Sequence, residues 1–197
     1  MKKPILFREM VELQSGTPQF RIAESVDASA PIYDYYTQAD LDVDFWQIDT
    51  PVMGKQVRTH DPVAQLDKGD IVFSLISGKA VRVQGIHAGR LMTQNYIKLT
   101  PKPSLDPAYL IYLLNENTDI ARQFGLGMQG SFVMKYTIKQ LKELTLPALP
   151  SLEMQRLIGD SYLKSIRLAT LKKQLADNEY RLILAQLNTI TQHGATP

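Results

Sequence analysis

The residues that most often perform chemistry are not spaced for it in this 197-residue chain. Its three histidines are His60, His87 and His193. No pair of them has the spacing of a metal-binding helix motif. Asp40, Asp42 and Asp44 alternate as calcium ligands do, but Phe45 occupies the position where that loop needs a glycine. We therefore interpret the three aspartates as a polar strand edge or turn, and we expect no metal site.

A glycine-rich segment, Gly125–Gly130, matches the dinucleotide pattern G-x-G-x-x-G. It follows a predicted helix rather than a strand, and no acidic residue follows at the distance that a βαβ unit requires. The chain has no P-loop, no G-x-S-x-G motif and no cysteine, which excludes thiolate catalysis and Cys-ligated metal centres. We therefore expect that the chain is not an enzyme and carries no cofactor.

Polar and basic side chains instead gather in predicted loops, where they could contact DNA. Segment 51–150 carries twelve basic and seven acidic residues, whereas segment 1–50 carries four and nine. Glutamine can pair with adenine, and lysine binds phosphate or guanine. The candidate DNA contacts are Lys55, Arg58, Thr59, His60, Lys79, Arg82, Gln129, Ser131, Lys135 and Tyr136. Each loop alone is also consistent with solvated surface, because the net charge is only +2.

The elements that would position these loops are typical of an α+β domain with a mixed or antiparallel sheet. Ten of the eleven prolines lie at or before Pro150, and short apolar runs separate the turn signals. The predicted strands are 71–76, 80–86, 95–99 and 144–146. Asp106 and Pro107 predict the cap and first turn of a helix that ends near 115, and a second short helix should cover 118–124. We expect Trp46 to lie in the core.

The sequence changes character after Pro150. No proline occurs from Leu152 to Gln192, which predicts one helix about 60 Å long. Its first stripe steps by three and four residues through Leu168, Leu171, Leu175, Asn178, Leu182, Ala185 and Thr189, with the polar Asn178 inside an otherwise largely apolar row. The second stripe comprises Ala176, Tyr180, Ile183, Leu187 and Ile190. Such a helix needs a partner, either a second copy in a coiled coil or the chain's own residues 1–150.

The chain therefore divides into a globular segment 1–150, a helix 151–192 and a short tail, 193–197, that we expect to be disordered. No apolar run approaches the roughly 18 residues of a membrane-spanning helix, and no signal peptide is recognisable. We accordingly expect a cytoplasmic protein.

Three segments carry a resemblance to a known family. They are LQSGTP at 13–18, LDKGDIVFS at 66–74 and the junction LKELTLPALPSLEMQRLI at 141–158. In this order they resemble the specificity (S) subunit of Type I restriction–modification systems. The most specific part is the proline-containing junction that leads into the long helix. Complete subunits of the family carry two recognition domains and two spacer helices, whereas one of each is present here.

The resemblance implies a target-recognition domain followed by a spacer helix that joins two copies as a homodimer, or else a truncated relic. It implies sequence-specific binding of double-stranded DNA, together with a DNA methyltransferase (modification) subunit and a restriction subunit as partners. S-adenosylmethionine and ATP would belong to those partners. The alternative is a non-catalytic interaction module that uses its long helix without binding DNA.

Two substitutions in segment 125–136, which begins with the glycine-rich stretch, test the predicted DNA contacts. Lys135→Ala should weaken binding to every DNA sequence and reduce the salt dependence of binding, because a phosphate contact is lost. Gln129→Ala should instead relax base preference. Affinity measured at several salt concentrations separates the two effects, with Lys139→Ala as a control. Unchanged affinity and selectivity in both variants would remove this segment from the interface.

Overall fold

The computed structural model describes residues 5–50, 53–126 and 136–193, and it confirms the α+β class. The strands are β1 Ile5–Leu6, β2 Val11–Ser15, β3 Ile32–Asp34, β4 Gln56–Arg58, β5 Ile71–Ser74, β6 Ala80–Arg82, β7 Tyr96–Pro101 and β8 Thr145–Leu146. The helices are α1 Phe7–Met10, α2 Gln38–Trp46, α3 Pro107–Glu116, α4 Thr118–Leu126, α5 Ile138–Glu143 and α6 Leu152–His193. We call the part before α6 the head. Among the described residues, no helix is both long and apolar enough to cross a bilayer.

A four-stranded antiparallel sheet in the order β2–β7–β5–β6 lies at the centre of the head. Both of its faces are covered, which explains why every residue of β5 is buried. Ile71 and Phe73 pack into the larger core beneath α3 and α4. Val72 points the other way, into a smaller core that includes Leu41 of α2. Because β6 is paired only on its β5 side, its other edge is open to further contacts.

The predicted starts of α3 and α4 are confirmed in detail. The Asp106 carboxylate accepts hydrogen bonds from the amides of Ala108 and Tyr109, and Pro107 occupies the first turn. The Asn117 side chain in turn accepts bonds from the first amides of α4. The capping signal at Asp106 and Pro107 was readable in the sequence because it involves only neighbouring residues.

Three local expectations were wrong. Asp40, Asp42 and Asp44 lie on helix α2, where Thr37 and Asp40 form a reciprocal capping box, and not in a strand edge or turn. Trp46 is 42% exposed at the end of that helix rather than buried in the core. The predicted strand 80–86 ends at Arg82, because residues Gly85–His87 turn into a short 3-10 helix.

The inward face of α2 carries a buried polar cluster that the sequence did not suggest. Asp40 and Asp44, one helical turn apart, both face His87, and all three are at most 3% exposed. His87 Nδ1 lies 2.8 Å from Asp44 Oδ1, and its Nε2 lies 3.6 Å from Asp40 Oδ1. Arg90 contacts the same Asp40 oxygen at 2.5 Å. The cluster thus ties α2 to the loop that follows β6.

Asp44 is the most heavily bonded member of this cluster. Its carboxylate accepts hydrogen bonds from the Tyr36 hydroxyl at 2.8 Å and from the Gln84 amide at 3.0 Å, in addition to the His87 contact. Burial, with the nearby Asp44 charge, raises the pKa of Tyr36 far above its ordinary value, so that its hydroxyl remains a donor. A single carboxylate therefore holds residues 36–44 and residues 84–87 together.

Helix α6 is docked over its first half only. Its N-terminal part packs on α3 through Gln155, Gly159, Tyr162 and Ile166, while every residue from 171 to 191 is exposed. The crossing is tight at Gly159, where an added Cβ would lie 2.7 Å from Ala108 Cβ and closer still to the backbone of Tyr109. Only glycine lets the two helix backbones approach this closely. The exposed 21 residues extend about 30 Å beyond the docked part.

Adding one methyl group at the crossing tests this contact. Gly159→Ala should lower the free energy of unfolding by at least 1–3 kcal/mol, as overpacking does, although alanine is the better helix former. Urea denaturation provides the measurement. Gly125→Ala is the control, because an added Cβ there meets no atom of the described residues within 4 Å and no loss is expected. Equal stability of Gly159→Ala and the wild type would show that the helices are not in close contact.

The buried cluster predicts an asymmetry between two histidine–aspartate pairs of similar length. Asp44→Asn should destabilise the chain by about 3–5 kcal/mol, because the amide cannot replace three accepted bonds in a buried site. Asp27→Asn breaks the exposed contact with His60, which spans 3.0 Å, and should leave stability nearly unchanged. Denaturation curves of both variants provide the comparison. An equally small effect at Asp44 would contradict the assigned geometry.

Candidate nucleic-acid interface

The first predicted contact loop lies around the β3–β4 pair, at one edge of the head. Lys55 is exposed, and its ammonium lies 6.0 Å from the centre of the Tyr35 ring. His60 is exposed and bonded to Asp27. The Ser29 amide, then His60, then the Ser29 hydroxyl lower the pKa of Asp27 by hydrogen bonding. Lys55 and His60 are thus placed where an external partner could reach them.

Two other residues of this loop are used internally. The Arg58 guanidinium donates to the Ala28 carbonyl at 2.6 Å. Thr59 is 1% exposed, and its hydroxyl accepts the Asp61 amide, so its side chain orders the loop instead of facing outward. We therefore remove Thr59 from the candidate DNA contacts. Neighbouring acids also offset the basic residues here, since segments 19–34 and 53–63 hold three Lys or Arg and four Asp or Glu.

The second predicted loop lies beside β6. Lys79 sits 4.5 Å from the centre of the Phe45 ring and 4.0 Å from an Asp42 carboxylate oxygen. Tyr136 covers Gly78 so closely that a Cβ there would overlap its ring, and the positive φ of Gly78 (69°) also requires glycine. Tyr136 is therefore a packing residue whose position fixes the turn before β6.

The structure does not group the predicted residues into one continuous surface. Gln129, Ser131 and Lys135 lie outside the described residues. The remaining cations that form no ion pair within the described part of the chain include Lys68, Arg82 and Lys164, which line a cleft between β6 and α6. Of these three, only Arg82 was predicted from the sequence, because Lys68 and Lys164 are far apart in sequence and line the same cleft only through the docking of α6.

The long helix α6, which was predicted to pair with a partner helix, exposes the large apolar side chains of both predicted stripes. Large apolar side chains that are 45–67% exposed include Leu168, Leu171, Leu175, Tyr180, Leu182, Ile183, Leu187 and Ile190. Asn178 is exposed among them. At roughly 100° per residue, Leu168 and Leu175 lie nearly opposite Ile166, which faces the head. The docked face and the first apolar stripe are therefore different faces of one helix.

No group of three or more His, Cys, Asp or Glu residues in the described part of the chain could hold a metal ion. The buried cluster around His87 contains only two carboxylates and a guanidinium, and its geometry is that of a structural ion network.

Comparisons with solved structures find this fold in restriction–modification proteins. An HsdS subunit from Thermoanaerobacter tengcongensis matches with a TM-score of 0.56 and 18% identity, over 88% of this chain and 39% of that chain. A Type I restriction–modification S subunit from M. genitalium matches with a TM-score of 0.54 and 17% identity, over 90% and 42%. A third match comes from work on complex assembly and conformational transition of the type I R-M system, with a TM-score of 0.57 and 19% identity over 94% and 43%.

No protein-family model and no curated protein matches the sequence. The chain spans about two fifths of the length of each structural match. Within that span lie one head and one long C-terminal helix. The chain therefore has the fold of part of a Type I restriction–modification HsdS specificity subunit.

Proposed function

We propose that this chain is a non-catalytic, DNA-binding specificity subunit of a Type I restriction–modification complex. The head reads one half of a bipartite target, and the chain directs a DNA methyltransferase subunit and a restriction subunit to it. S-adenosylmethionine and ATP belong to those partners, and the complex is cytoplasmic. The fold likeness and the motif order at 13–18, 66–74 and 141–158 support this function.

The exposed stripes of α6 are the observation that carries the homodimer part of the proposal. Eight large side chains between 168 and 190 are about half exposed or more. At roughly 100 Å² each, they supply about the 800 Å² per partner that a stable interface buries. The head leaves the first stripe uncovered because it docks on the opposite face, and it leaves the second stripe uncovered because its contact with α6 ends before residue 171. A second copy carries the same surface, and two-fold pairing makes it self-complementary.

An antiparallel pair of helices explains how a chain with a single head can recognise a target that has two half-sites. Two helices that run in opposite directions place their heads at opposite ends, so each head reads one half-site. The helix then fixes the spacing between the half-sites, and the paired sites are related by two-fold symmetry. Gly159 and the buried Gln155 hold each head against its own helix, which keeps the spacing constant.

Charged substitutions in the first stripe test self-association. The double variant Leu175→Glu, Leu182→Glu should convert a dimer into a monomer, because two carboxylates would be buried without partners. Light scattering with size-exclusion chromatography measures the mass. The control, Gln174→Glu with Asn188→Glu, adds the same charge off both stripes and should remain dimeric. A wild-type monomer at high concentration would contradict the proposed pairing.

DNA recognition is tested with the wild type, the double variant and the control variant described above. The chain and the methyltransferase subunit of its own system are incubated with a pool of random-sequence duplexes, and bound duplexes are sequenced after a gel shift. The wild type and control should enrich a bipartite site with two-fold symmetry, whereas the monomeric variant should not. Dimerisation without any enriched sequence would instead favour an interaction module that does not bind DNA.

A further inference from the structure

A cleft of about 700 Å³ separates the open edge of the central sheet from α6. Its walls come from β6 and the residues that follow it, the end of α2, α3 and the docked part of α6. Phe45, Ile111 and Leu163 supply apolar surface. A volume of this size is typical of small-molecule sites, which often lie between structural units. Arg82 is the one candidate DNA contact among the residues that line this cleft, and a ligand could occupy the cleft whether or not Arg82 also contacts DNA.

At the open edge of β6, alternate residues turn both their backbone N–H and their C=O away from β5, and we call each such pair of groups a rung. One rung on the cleft side has no hydrogen-bond partner among the described residues. The Lys79 carbonyl accepts from the amide of Ser74 in β5 at 2.9 Å, and the Val83 amide donates to the carbonyl of Asp70, just before β5, at 2.8 Å. Ala80, Arg82 and Gln84 therefore present their backbone groups to the opposite side. The Asn115 side chain pairs with both backbone groups of Ala80 at 2.8 Å. The Gln84 amide donates to Asp44.

Arg82, between these two capped positions, has no such partner among the described residues. Its N–H and C=O lie on the cleft side of the edge, one donor beside one acceptor. The Asn115 amide shows what fits such a rung, namely a flat group that carries an acceptor beside a donor. An added β-strand does not fit, because both neighbouring rungs are occupied. The edge therefore accepts a single amide-like group and excludes an extended peptide.

The charges around the cleft favour an anionic ligand. Lys68, Arg82 and Lys164 line it and form no ion pair with a described residue. Arg167 is already paired with Asp49 at 2.9 Å, and Asp44 is bonded within the buried cluster. Asp160 is the one remaining acid among the described lining residues without an ion pair. Three available cations thus face one carboxylate.

We propose that this cleft binds a nucleoside monophosphate. A nucleobase presents a donor beside an acceptor on a flat ring, which matches the Arg82 rung and the apolar walls. The phosphate binds to the positively charged rim of the cleft, which is formed by Lys68, Arg82 and Lys164. The nucleotide comes either from solution or from a DNA strand with one nucleotide turned outward. A bound ligand contacts both the head and α6, and so stiffens the joint between them.

Calorimetric titration of the full chain with AMP, GMP, CMP and dTMP tests the site. At least one nucleotide should bind about tenfold more tightly than inorganic phosphate or the matching nucleoside alone, since both parts of the ligand contribute. Lys164→Gln should weaken binding by about tenfold through the lost charge-assisted contact. Lys172→Gln, an exposed lysine further along the same helix, should leave affinity unchanged.

The backbone rung is tested by a matched pair of variants. Arg82→Ala and Arg82→Pro both lose the guanidinium, but only the proline loses the N–H, and on an open edge it breaks no ladder bond. The proline variant should bind the nucleotide roughly threefold to tenfold more weakly than the alanine variant. If it does not fold, the wild-type Arg82 amide resonance provides the readout and should shift on titration.

Several outcomes would overturn the proposal. They are no binding of any nucleotide, inorganic phosphate binding as tightly as the nucleotides, no effect of Lys164→Gln, or an Arg82 amide that does not respond. A duplex competitor then separates the two sources of a confirmed ligand. Displacement of the nucleotide by duplex assigns the site to DNA, and failure to displace it assigns the site to free nucleotide.

Discussion

The close crossing of α3 and α6 fixes the long helix against the head. Gly159 allows the two helix backbones to touch, and Gln155 donates to the carbonyls of Ser104 and Pro150 beside the crossing. The Gln155 side chain also accepts the Asp106 amide, so the start of α3 is bonded directly to α6. This contact turns a long helix and a globular head into one unit with a fixed angle between them. Without it, neither the cleft nor the projecting stripe would have a defined position.

The same contact leaves α6 with one face packed on the head and another face exposed. One face is occupied by the head over the first half of the helix, and the opposite face carries apolar side chains into the exposed second half. Hydrophobic burial is proportional to area, so an uncovered stripe of this size favours association over solvation. The head's buried cluster around Asp44 keeps α2 rigid against β6, which shapes the wall of the cleft that α6 closes.

Sequence reasoning succeeded where the determinants are local and failed where they are distant. The cap at Asp106, the apolar segment that forms β5 and the long helix all depend on residues within a few positions of one another. The aspartates at every second position of 40–44 suggested a polar strand edge or turn, because side chains alternate along a strand. The capping box at Thr37 instead starts a helix there. The partnership of His87 with α2 spans more than forty residues, and no local pattern announces it. Likewise, Lys68, Arg82 and Lys164 form one rim only because α6 docks beside β6.

Distances between spin labels on α6 test the antiparallel pairing most directly. The chain has no cysteine, so single labels can be placed off both stripes at Gln174→Cys, Arg181→Cys and Asn188→Cys. In an antiparallel pair, the distance between equivalent labels changes by roughly 3 Å per residue from the two-fold axis, or about 20 Å for seven residues. Antiparallel pairing predicts that strong dependence on position. Equal distances at all three positions would indicate parallel helices, and the absence of any intermolecular distance would indicate a monomer; either result would rule out the antiparallel dimer.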